Sequence, residues 1–273
     1  WVVSCSSEPA LPSSAEPPEA SGQEVPTTSG AEEADTPDEP SGDDEATSTP
    51  DETPTDDIDE PQMPDAIEGT WSEQGDETTL RITLFGAHQV RVQRFANTGE
   101  PHPDRGWLHA NVTWPDHPLE PTQTEESFIF EGLSLRVLVD KATSNVTITQ
   151  LDGTVLSDES GTTHDNGVGT LYRQLSDDEH FFGLGEKTGP LDKRGQRLTM
   201  WTTDAINPEG NIEPWSDPIY QSHPFYIGLR DGTAHGFYLE NSHRSTFDFG
   251  ATSHELSVST EGGDIDYVIF AGP

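Results

Sequence analysis

From about residue 67 onward, apolar and polar positions alternate with a period of two. Thr79-Leu80-Arg81-Ile82-Thr83-Leu84-Phe85 and Gln89-Val90-Arg91-Val92-Gln93-Arg94-Phe95 put their aliphatic side chains on one face, as half-buried strands do. Residues 133–139 and 146–149 repeat the pattern, and the second run enters Leu151-Asp152-Gly153-Thr154-Val155-Leu156. Asp152-Gly153 between two such runs predicts a hairpin with a two-residue turn, because both central positions tolerate positive φ. Further strands are predicted at 169–175, 198–202, 225–229, 234–239, 245–249, 255–258 and 265–270. No 12-residue window carries a 3.6-residue period with caps, and no internal repeat stands out. Many short strands separated by Gly, Asp, Asn and Pro turns predict an all-β fold, a single β-sandwich of roughly 200 residues.

The first 65 residues break this pattern. They hold 19 of the 51 acidic residues, 11 of the 22 prolines, neither Lys nor Arg, and no aromatic residue after Trp1. Such a stretch buries too little apolar surface to offset the entropy of ordering, and its like charges extend it. The sequence therefore predicts a disordered acidic tether over 1–65 and a β-sandwich domain over 66–273. An acidic arm that recruits a basic or calcium-rich partner is the alternative. Val2-Val3-Ser4-Cys5 resembles the bacterial lipobox, which predicts lipid attachment at Cys5 and a place at the bacterial cell surface or in the periplasm; the alternative is an ordinary thiol. The first residue is Trp rather than Met, which reads as a fragment or a processed product. A net charge of −38 excludes a nucleic-acid binder of the usual basic kind. One cysteine excludes an intramolecular disulfide and a multi-Cys zinc site.

Within the folded part, Phe181-Phe182-Gly183-Leu184-Gly185-Glu186-Lys187-Thr188-Gly189-Pro190 invites a phosphate-loop reading. It fails, because Glu186 stands where a Walker loop needs Gly and no helix pattern follows. The histidines lack metal-ligand spacing, so no metal or cofactor is expected. Asp264 and Asp266, two apart, would share a strand face, either as a paired acid and base or as a solvated edge. Asp204 follows Met200-Trp201-Thr202-Thr203 and opens an irregular loop that includes Trp215. An aromatic face beside a carboxylate suits a sugar, the ring meeting C–H groups and the carboxylate accepting hydroxyl hydrogen bonds. A Trp before a turn is also common as a strand-end core residue.

The run from Phe181 to Asp204, then Asp217-Pro218-Ile219-Tyr220-Gln221-Ser222 with Pro224-Phe225-Tyr226-Ile227-Gly228-Leu229, then Asn241-Ser242-His243-Arg244-Ser245-Thr246-Phe247-Asp248, and last Gly262-Gly263-Asp264-Ile265-Asp266-Tyr267 with Ala271-Gly272-Pro273, resembles the N-terminal β-domain of glycoside hydrolase family 31, the α-glucosidase family. The resemblance implies a galactose-mutarotase-like supersandwich packed on a C-terminal (β/α)₈ barrel. Two barrel aspartates would cleave terminal α-linked glucose with retention, so no catalytic residue is expected in this chain. It further implies that one loop of the β-domain reaches the active-site rim, its Trp-Asn-x-Asp aspartate bonding sugar hydroxyls. The matching residue is Asp204, preceded by Trp201, with Thr202 where the family has Asn and Trp215 farther along the loop. The partners implied are an oligosaccharide or α-glucoside, the barrel, and a membrane through Cys5. The rival readings are a stand-alone carbohydrate-binding surface lipoprotein and a purely structural surface protein.

Overall fold

The computed structural model describes residues 68–75, 77–97, 115, 117–165, 168–206, 210, 212 and 216–272. These residues form sixteen strands and no helix. The strands are β1 (Gly69–Gln74), β2 (Thr78–Phe85), β3 (Gln89–Ala96), β4 (Thr122–Gln123), β5 (Ser127–Glu131), β6 (Leu135–Asp140), β7 (Val146–Gln150), β8 (Val155–Asp165), β9 (Val168–Gln174), β10 (His180–Gly183), β11 (Arg197–Met200), β12 (Phe225–Arg230), β13 (Thr233–Leu239), β14 (Ser245–Phe249), β15 (Glu255–Thr260) and β16 (Ile265–Ala271). The predicted tether and Cys5 lie outside the described residues.

Two antiparallel sheets result. One runs β1-β2-β3-β16-β13-β12-β10 and the other β11-β14-β15-β9-β8-β7-β6-β5-β4. Alternation explains their faces: on β6, Leu135, Val137 and Val139 are buried while Arg136, Leu138 and Asp140 are less so. These side chains meet Ile82, Val90 and Val92 of the opposite sheet in one hydrophobic core. All twelve predicted strands are present, and the all-β sandwich is the fold.

Three features depart from expectation. The hairpin between β7 and β8 has a three-residue loop: Gly153 N donates to Gln150 O (3.0 Å) and Gln150 N to Thr154 O (2.8 Å). Of Asp152 and Gly153 only the glycine takes positive φ, at 95°, which is the arrangement of a type I turn followed by a left-handed residue. The predicted strand over 198–202 ends at Met200, leaving Trp201 and Thr202 outside the sheet. Asp266 is neither a solvated edge residue nor half of an acid–base pair. It is buried and accepts from Arg91 Nε (2.9 Å), Arg91 Nη2 (2.7 Å) and Gln93 Nε2 (2.9 Å).

β3 is buried on both faces. Arg91 and Gln93 point outward to Asp266, whereas Arg94 shares the inner face with Val90 and Val92. Between the sheets Arg94 donates to both oxygens of Glu159 on β8, at 2.8 and 2.6 Å. Glu159 also accepts from the Val146 amide (2.7 Å) and the Tyr267 hydroxyl (2.5 Å). Burial first, and then the Glu159 charge, push the Tyr267 phenol well above its ordinary range, so Tyr267 donates as a neutral phenol.

Candidate carbohydrate-contact loop

The loop that carries Asp204 begins where β11 leaves its partner β14 at Met200, opposite Ser245. Past that point the chain runs beside residues 219–222. Trp201 N donates to Ser222 Oγ (3.0 Å), Ser222 Oγ donates back to Trp201 O (2.7 Å), and Thr203 N donates to Ile219 O (3.1 Å). A further antiparallel bridge joins Ile206 to Ile212. Asp204 is exposed on this excursion, as its turn-forming sequence predicts.

The segment opposite is fixed from behind. Lys187 Nζ, on a side chain only 1% exposed, donates to Thr199 O (2.6 Å) and Asp217 Oδ1 (3.0 Å), while Asp217 Oδ2 accepts from Thr199 N (2.5 Å). Thr188 Oγ1 donates to Ser216 O (2.9 Å). The glycines before Lys187 serve the same end. Gly183 has φ 133°, and a Cβ there would stand 2.6 Å from Phe225 O. Leu184, buried at φ 70°, donates from its amide to that same carbonyl (2.8 Å). The Gly-Leu-Gly turn is thus built for close backbone approach to residues 223–226 rather than to a phosphate.

Tyr220 faces the loop. Its hydroxyl is buried, makes no well-formed hydrogen bond, and lies near the Asp204 carboxylate. Desolvation, then the charge of Asp204 and more weakly that of Glu186, raise the phenol above its ordinary value. Trp201 is 49% exposed, so it is not a strand-end core residue. Its ring lines a cleft of about 380 Å³ together with Ser222, Tyr238, Asn241 and His243. Asp204 is not among the residues that line that cleft. Asn241 is committed structurally, its amide donating to Gly262 O and Asp264 O, both at 2.9 Å. Trp215 lies outside the described residues. Among the described residues no cluster of three or more His, Cys, Asp or Glu is arranged to hold a metal.

Sequence reasoning picked out Asp204 and Trp201 but gave no role to Lys187, Asp217, Tyr220 or Ser222. The signal for Tyr220 was its place three residues after Asp217 in a run already singled out as a motif.

Comparison with known proteins follows the same segments. The sequence model of the glycosyl hydrolase 31 N-terminal galactose mutarotase-like domain matches residues 79–248. An α-glucosidase 2 of Bacillus thermoamyloliquefaciens is 39% identical over 155 residues, covering 55% of this chain and 19% of that enzyme. An α-glucosidase of Saccharolobus solfataricus is 29% identical over 137 residues, covering 50% and 18%. The chain thus spans about a fifth of the length of these relatives. Among solved structures, a family 31 dextranase of Flavobacterium johnsoniae complexed with glucose shares the fold, with a TM-score of 0.65 at 22% identity over 76% of this chain and 25% of the other.

Proposed function

Given that the chain belongs to glycosyl hydrolase family 31, through its N-terminal galactose mutarotase-like domain, we propose that it is the non-catalytic N-terminal domain of a retaining glycosidase acting on terminal α-linked glucose-type residues. The residues between 201 and 206 form the part that reaches the substrate, and Asp204 accepts hydrogen bonds from sugar hydroxyls there. The observation that carries this reading is the exposed Asp204 on a loop whose backbone is pinned on one side by Ser222 and Ile219. The nucleophile and the general acid belong to a (β/α)₈ barrel outside these residues. The substrate is an oligosaccharide or α-glucoside. The acidic stretch over 1–65 acts as a tether, with lipid on Cys5 holding the protein at a bacterial surface or in the periplasm.

A second reading draws support from the half-exposed Trp201 beside its cleft: a stand-alone carbohydrate-binding surface lipoprotein would use that ring as its platform. Kinetics separate the two. In the full-length protein Asp204→Asn should lower kcat/KM by about one to two decades, the loss of a charge-assisted hydrogen bond worth roughly 1.5–3 kcal/mol, while leaving the unfolding midpoint in place. Residues 66–273 alone should release nothing from an aryl α-glucoside. Unchanged kinetics in the Asn variant would remove Asp204 from the substrate contact, and turnover by residues 66–273 that a mutation in this chain abolishes would overturn the non-catalytic reading.

A further inference from the structure

The segment opposite the Asp204 loop is held at both ends. At its start Asp217 accepts from Lys187 Nζ (3.0 Å) and from the Thr199 amide (2.5 Å). At its end Ser222 Oγ accepts from the Trp201 amide (3.0 Å) and donates to the Trp201 carbonyl (2.7 Å). Between them Ile219 is buried, and its carbonyl accepts from the Thr203 amide (3.1 Å). Tyr220, the next residue, therefore rides on a backbone that is fixed against the loop one residue before Asp204.

The Tyr220 hydroxyl is closed off from solvent and has no aligned hydrogen-bond partner, although the Asp204 carboxylate lies beside it. Interior polar atoms of native proteins are nearly all paired, so an idle phenol next to an exposed carboxylate needs a physical account. Desolvation, then the Asp204 charge, hold the phenol above its ordinary range, so it keeps a proton to donate at neutral pH. Two carboxylates act on it unequally. Asp204 is near enough to bond, whereas Glu186 is felt only through its charge. Asp204 is itself exposed, and an exposed side chain gives up rotamer freedom when a ligand fixes it.

We propose that Tyr220 is a positioning residue for Asp204: when a sugar is bound, the phenol donates to one carboxylate oxygen and fixes the other toward the sugar hydroxyl. The inference rests on the substrate contact proposed above for Asp204 and assigns the side chain that orients it. A carboxylate accepts at both oxygens, so a phenol on one leaves the second free for the ligand. A neutral donor facing an ionised acceptor makes a stronger bond than a neutral pair does. Such bonds are often loose in the free protein and tighten in the complex, which accounts for a hydroxyl that is close to Asp204 but not yet aligned with it. The rigid backbone under Tyr220 is what lets the phenol order the carboxylate rather than follow it.

The test is a double-mutant cycle in the full-length protein, read as kcat/KM on an aryl α-glucoside. Tyr220→Phe should lower kcat/KM by about three- to tenfold. With Asp204→Ala already in place the same change should cost less than about twofold, because its effect passes through the carboxylate. In a Glu186→Gln background the Phe penalty should stay. The unfolding midpoint of Tyr220→Phe should not fall, since the lost hydroxyl is unpaired in the free protein. A second measurement leaves Tyr220 intact: its ¹³Cζ resonance at neutral pH should move saturably with D-glucose in the wild type and stay in place in Asp204→Ala. Full activity in Asp204→Ala would remove the substrate contact itself, and the positioning role with it. Lost activity in Asp204→Ala beside an unimpaired Tyr220→Phe, or a Phe penalty equally large in both backgrounds, would overturn the positioning role and leave the Asp204 contact standing. A Phe penalty that disappears with Glu186→Gln, or a wild-type ¹³Cζ resonance that glucose does not move, would overturn it as well.

Discussion

The Tyr220 hydroxyl is buried next to Asp204, so desolvation first and then the carboxylate's charge raise the pH at which the phenol loses its proton. With the negative charge in place the neutral phenol is favoured and Tyr220 titrates above its ordinary value. Asp204→Asn removes that charge and should bring the Tyr220 titration down in pH. The shift is measurable by ¹³C resonance of labelled tyrosine, where four other tyrosines serve as internal references. A Tyr220 curve identical in the two proteins would show that the groups do not interact. At this scale the sequence displayed one partner and hid the other. The turn formers after Asp204 announce an exposed side chain, whereas a tyrosine in Asp217-Pro218-Ile219-Tyr220 looks like any core aromatic until the fold sets its oxygen against a particular carboxylate.

Among the elements, the loop following β11 owes its position to Lys187, which holds the end of β11 and the Asp217 segment together through one ammonium group. Lys187→Met keeps most of the buried stem but strands Thr199 O and Asp217. The expected cost is about 1–3 kcal/mol, together with faster amide exchange at Thr199 and Thr203; both follow from urea unfolding and hydrogen exchange. Unchanged exchange at Thr203 would uncouple the clamp from the loop. Elements were legible in the sequence where alternation was clean, as in β6 and β15. Those missed had other reasons to be strands. β1 offers Trp71 and little else that is apolar, and it stays in place because Trp71 packs on Phe128 and Phe130, with ring centroids 4.9 and 5.2 Å away. β5 carries Phe128, Ile129 and Phe130 in a row, which has no period to read. β8 continues through a polar stretch to Asp165 because β9 supplies its hydrogen bonds, a tertiary cause absent from local pattern.

Among the described residues the two sheets meet through apolar side chains and through buried ionic groups, among them Arg94 with Glu159, whose side chains are 4% and 0% exposed. Glu159 has four hydrogen-bond donors around it, so Glu159→Gln leaves the Arg94 charge buried without its counterion. The expected loss is about 3–5 kcal/mol, a large share of a typical domain's roughly 5–15 kcal/mol. Equilibrium denaturation checks this, and a loss below about 1 kcal/mol would mean that the guanidinium finds solvent instead. The same pair also acts on the choice of alignment. A strand that slides by one residue exchanges its two faces, and β3 carries similar bulk on both, Val90 and Val92 against Arg91 and Gln93, so bulk alone discriminates poorly between alignments. With Arg94 turned outward, where it would stand beside Asp266 instead, Glu159 would face Gln93 or Phe95 from inside a closed core. Each misaligned sandwich would carry a carboxylate between its sheets without a counter-charge, so the Arg94–Glu159 pair works as a key that admits β3 in a single register.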